Sequence, residues 1–97
     1  MPSARPDWTD EARQDLAAII AYIATDSPAA ADAFLDRIIA RTDTLPHHPH
    51  AFRKGRLPGT REMVIHPHYI LVYAIRDDGV TILRLLHSAR NWARNWP

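Results

Sequence analysis

The sequence predicts an α+β domain, an N-terminal helical hairpin packed on a small, mainly antiparallel sheet of three to four strands. Three observations predict it. Apolar residues recur at helical spacing through the N-terminal half, the spacing changes to alternation beyond Pro49, and turn signals punctuate the alternating part.

Each element can be justified in order. Thr9 supplies an N-cap hydroxyl, and Asp10 and Glu11 suit the positive end of a helix dipole. Ala12, Leu16, Ile19, Ile20 and Ile23 then form one stripe, which predicts a helix over 10–24. Ser27-Pro28 is a second start signal, a cap followed by proline at the first helical position. Ala31, Phe34, Leu35, Ile38, Ile39 and Thr42 form the second stripe, which Leu45-Pro46 ends. Two amphipathic helices joined by so short a turn make a hairpin. Beyond it, a short strand is expected within 52–56, Pro58-Gly59 is a turn, and 60–65 and 69–75 read as strands separated by His66-Pro67-His68. Asp77-Asp78-Gly79 is a hairpin signal and 80–86 the last strand. Residues before Thr9 add a short edge strand.

Composition narrows the function classes. A chain of 97 residues makes one domain at most. It has no cysteine, which excludes disulfides and thiolate metal sites. No apolar run is long enough to span a membrane and no signal peptide opens the chain, so a cytoplasmic location is expected. The three glycines leave little room for a nucleotide-binding loop, and no cofactor is expected. His47, His48 and His50 sit in a proline-flanked loop without a neighbouring acid, and no metal site is expected there. The net charge of +1 hides an asymmetry. Residues 1–50 carry four arginines against eight acids, and residues 51–97 carry eight basic groups against three acids. The C-terminal half therefore reads either as a solvated charge pattern or as a site for a polyanion or acidic partner. Arg53, Lys54, Arg56, Arg90 and Trp92 are the candidate RNA- or target-binding residues.

A two-residue loop at Asp78-Gly79 would pair Asp77 with Val80 in the last hairpin. Tyr73 would then face Arg84, and Ile70 would face His87. Strand alternation would place His68, Ile70, Val72 and Ala74 on one face with Leu83, Leu85 and His87, bringing the two histidines together at the open end. A three-residue loop would shift that register. Two imidazoles titrating near neutral pH can shuttle a proton in phosphoryl transfer, and Arg61, Arg84 and Arg90 could hold the phosphate. The plainer reading is a pair of strand-end histidines satisfied by backbone or water.

The stretches GTREMVIHPHYILVY at 59–73 and GVTILRLLHSARNW at 79–92 resemble the RelE/ParE superfamily of bacterial toxins, and 7–38 resembles its helical hairpin. The hairpin is similar to ParE members and the sheet to the RelE/StbE type. The resemblance implies a single toxin domain over 1–97, paired with a cognate antitoxin that carries a DNA-binding part. That antitoxin would cover apolar helix or sheet-edge surface and neutralise the basic half.

The resemblance also implies growth arrest, by one of two routes. RelE-like members cut mRNA on the ribosome; ParE-like members poison DNA gyrase without nuclease activity. In one nuclease branch a histidine near the end of the last strand carries chemistry, and His87 matches it. That branch has an aspartate where this chain has His68, and an earlier strand histidine where it has Val64. An arginine used by RelE itself falls at Ile70. The expected order is therefore mRNA cleavage first, by a metal-independent endoribonuclease with His87, His68, Arg84 and Arg61 as catalytic candidates, and gyrase inhibition second. A degenerate toxin that only binds its antitoxin is a third reading. Ala-Arg-Asn-Trp occurs twice, at 89–92 and 93–96. Residues 93–97 read as an exposed tail.

Overall fold

The computed structural model describes residues 5–77 and 79–88. The elements run β1 (Asp7–Trp8), α1 (Asp10–Asp26), α2 (Pro28–Thr42), β2 (Arg53–Lys54), β3 (Arg61–His66), β4 (Tyr69–Arg76) and β5 (Gly79–His87). The sheet order is β1-β5-β4-β3-β2. β1 lies parallel to β5, and every other pairing is antiparallel. The two-residue edge strands bring the count to five. Arg90, Trp92 and the repeated tail lie outside the described residues.

Both helices begin where the caps dictate. The Thr9 hydroxyl accepts the Ala12 N–H at 3.1 Å. Ser27 serves two helices at once, donating its backbone N–H to Ile23 at the end of α1 and accepting the Ala30 N–H at the start of α2. The hairpin lays Ala12, Phe34 and Ile38 on the sheet, where Met63, Leu71, Tyr73, Ile82 and Leu85 are fully or almost fully buried. Each large side chain removed from water in this layer contributes about 1.5–3 kcal/mol before entropy is counted. Ile39, expected in the second stripe, is 45 % exposed because the sheet receives Phe34 and Ile38 instead.

The last hairpin departs from the expected register. Arg76 pairs with Gly79, Ile75 with Val80 and Tyr73 with Ile82. Gly79 has φ +141, a backbone conformation that side chains resist, so the strand can begin at that glycine. A bulge then places Leu83 between the Tyr73–Ile82 and Val72–Arg84 pairs. Arg84 therefore faces Val72 and not Tyr73, and His87 faces Tyr69 and not Ile70. The faces change accordingly. Leu71, Tyr73, Ile82 and Leu85 share the core under the helices, while Ile70, Val72 and Leu86 pack with Leu57 in a separate cluster. The Thr9 hydroxyl donates to the Leu83 carbonyl at 2.8 Å, so the residue that caps α1 also holds the bulge.

Candidate functional site

His68 and His87 do meet, by a route the expected register did not contain. His87 ends β5 opposite Tyr69, and His68 sits in the β3–β4 turn. Ser88 ties the two together, its N–H donating to the His68 carbonyl at 2.8 Å and its hydroxyl to the Pro67 carbonyl at 3.0 Å. The imidazoles stack with centroids 5.7 Å apart and planes 15° from parallel. His66 joins the row at 5.3 Å from His68, its Nδ1 accepting the His68 N–H. Tyr69 meets the His87 ring edge-on at 5.5 Å.

His68, Tyr69 and His87 line a cleft of about 620 Å³ between α1 and the ends of β4 and β5. Ile19, Tyr22, Leu85 and Leu86 give it apolar walls, and Tyr22 is 71 % exposed. Arg84 and Asp15 also line it. Arg84 Nε donates to Asp15 Oδ2 at 2.7 Å and its Nη2 to Oδ1 at 3.1 Å, while the Leu85 N–H reaches Oδ2 at 3.0 Å. The hydrogen bonds to Asp15 raise the Arg84 pKa above its ordinary value against the pull of burial. Asp15 lies 69 residues from Arg84 and carries no local motif, so sequence reasoning missed it.

The other candidates lie elsewhere. Arg61 pairs with Tyr73, four residues along β4 from the partner of His87, or about 13 Å at strand spacing. Its Nη1 donates to the Phe52 carbonyl at 2.8 Å. Burial raises the Tyr73 pKa, and the nearby Arg61 charge partly offsets this. Tyr73 donates its hydroxyl proton to the Pro49 carbonyl at 2.7 Å. Arg53 and Arg56 converge on Glu62, at 3.0 and 3.2 Å, and the Arg56 N–H adds a third bond at 3.0 Å. Burial pushes the Glu62 carboxyl up, but the bonds from Arg56 and Arg53 outweigh it and hold the pKa below the usual value. Lys54 is exposed on β2. Among the described residues no group of three histidines or acids is arranged to hold a metal ion, and no helix is long and apolar enough to cross a membrane.

A two-helix hairpin laid on a five-stranded sheet of this order is the architecture of a small RelE/ParE-type toxin. Comparison with known proteins agrees. The profile of the ParE toxin of type II toxin–antitoxin systems, parDE, matches residues 7–92. Y4kP of Sinorhizobium fredii is 39% identical over 93 residues, covering 95% of this chain and 96% of that protein. Toxin RelE2 of Caulobacter vibrioides is 39% identical over 85 residues, covering 86% and 93%. A chain from the chromosomal ParDE system of P. aeruginosa superposes with a TM-score of 0.72 at 23% identity, covering 88% of this chain and 98% of that one. The chain belongs to the ParE toxin family of type II toxin–antitoxin systems. Toxins of this kind pair with a cognate protein antitoxin.

Proposed function

We propose that this toxin arrests growth by binding a protein target, DNA gyrase, and not by cutting mRNA. The observation that carries this reading is the engagement of the arginines. RNA cleavage generates negative charge on a phosphate in the transition state, and a catalyst places cationic donors there in advance. Arg84 instead gives both arms of its guanidinium to Asp15. Arg61 is bonded to Phe52 at the far end of the sheet, and Ile70 is buried in the other cluster. Arg84 lines the same cleft as the histidine pair, but its guanidinium is held by the Asp15 carboxylate. The match to the ParE family supports the same reading, which reverses the order expected from the sequence.

The test is a supercoiling assay with purified gyrase and antitoxin-free toxin, run beside a translation reaction on pre-made mRNA. Loss of supercoiling with intact mRNA is the expected result. Ribosome-dependent cuts that vanish in His87→Ala would replace it with an mRNA interferase. The stacked His68–His87 pair is the observation that favours that second reading.

A further inference from the structure

We propose that Arg37, His66, His68 and His87 form one basic rim that receives the carboxylates of an acidic, partly apolar segment of the cognate antitoxin, whose apolar side chains enter the adjoining cleft. The inference rests on the family's pairing with an antitoxin and not on the identity of the toxin's target.

The placement of Arg37 follows from α2. Phe34, Arg37 and Arg41 are spaced three and four residues apart and share one helix face. Phe34 meets the His66 ring edge-on at 6.2 Å, and Arg41 Nη1 donates to the Val64 carbonyl at 2.9 Å. Arg37 lies between them, over the end of β3. Its helical neighbours at three and four residues are Ala33, Phe34, Ala40 and Arg41, none of them acidic. It forms no ion pair among the described residues. The row thus runs from Arg37 through His66 and His68 to His87, with ring spacings of 5.3 and 5.7 Å.

The surroundings select the occupant. The cleft beside the rim has apolar walls at Ile19, Tyr22 and Leu86, which suit peptide side chains. A nucleic-acid strand would need cations along its whole backbone. Here the helical hairpin that borders the rim is acidic, with Asp10, Glu11, Asp15, Asp26, Asp32 and Asp36 against Arg13, Arg37 and Arg41. A few discrete carboxylates avoid that repulsion; a continuous polyanion does not.

Binding at this rim is linked to protons. His66 is held below its ordinary pKa by burial first, then by the charges of His68 and Arg37. The groups facing it are Arg37 from α2, His68 from the turn and Tyr69 from β4, with His87 of β5 behind His68. Asp15 is the acid nearest along the cleft, and Arg84 engages it. An incoming carboxylate raises the His66 pKa, so the complex takes up a proton and tightens as pH falls. A rise of one pKa unit at a single histidine changes affinity by up to about tenfold.

Calorimetric titration of the toxin with its antitoxin at about pH 6 and pH 8 tests the inference. The expected result is binding about tenfold tighter at the lower pH. The double variant His66→Gln/His68→Gln should flatten that dependence with its circular dichroism unchanged, and Arg37→Gln should weaken binding at both pH values. An unaltered pH dependence in the double variant, or undiminished affinity in Arg37→Gln, would overturn the proposal. So would release of the bound antitoxin by a short single-stranded RNA but not by a glutamate-rich peptide.

Discussion

At one end of the sheet Arg53 and Arg56 converge on the buried carboxylate of Glu62, and Arg61 is tied to Phe52. At the other end three imidazoles stand in a row beside Arg37, with a cleft next to them. The basic end is where the sequence concentrates charge, yet much of that charge holds the 52–62 loop together. The histidine end carries less formal charge, but its Arg37 is exposed and forms no ion pair among the described residues. A count of cations therefore says little about which face is available; what matters is whether the fold supplies the counter-charge.

The largest effect that would break this contrast is removal of Glu62. Glu62→Ala strips four bonds from the loop and should cost about 2 kcal/mol in urea unfolding, the half-exposed arginines limiting the loss. The pH dependence has a defined sign. Because the carboxyl is held below 4.5, its contribution is full above that value and is lost as pH falls through the folded pKa. In acid below that value, wild type should therefore lose stability more steeply than Glu62→Gln.

Asp15→Ala comes next, at about 1.5 kcal/mol, since it removes both carboxylate bonds to Arg84 and the acceptor of the Leu85 N–H. It also sharpens the comparison by removing the Asp15 counter-charge from a guanidinium that lines the cleft. Fluorescence polarisation should then detect a several-fold gain in affinity for a short single-stranded RNA. Thr9→Ala should cost about 1 kcal/mol, and Thr9→Ser much less, because serine keeps both the cap and the bond to Leu83. The smallest effect on folding is expected at the exposed Arg37, where Arg37→Gln should shift stability by less than about 0.5 kcal/mol. A larger shift in its melting curve would mean that the histidine end, too, is spent on folding.

The sequence made the helices legible because their signals are local. The Thr9 and Ser27-Pro28 caps each act within four residues. The strands were legible from alternation and from the turns at Pro58-Gly59 and Asp77-Asp78-Gly79. The register of the last hairpin was not, because it depends on pairing that starts at Arg76–Gly79 and on a bulge at Leu83, whose carbonyl is bonded by Thr9, 74 positions away. His68 and His87 were anticipated as neighbours, but on the wrong face argument. Their approach comes from Ser88 gripping the β3–β4 turn, a contact with no sequence signature. Arg84 was anticipated as a phosphate ligand because it lies close to the histidines in sequence; Asp15 reaches it from α1. Arg37 enters the sequence reading only as one of the four arginines of the N-terminal half. The available signal was its spacing from Phe34, a core residue of the same face.

The outer strands of the sheet carry one more consequence. β1 covers only Thr81 and Ile82, and beyond it Thr9 engages the Leu83 carbonyl and Asp15 the Leu85 N–H. On the opposite side β2 is two residues long and charged, and Arg41 engages the Val64 carbonyl. Helix side chains thus occupy ladder positions that would otherwise recruit a foreign strand. Edge-to-edge pairing between copies of this chain is disfavoured at these positions, and a strand added beside β5 must compete with Thr9 and Asp15 for its backbone groups.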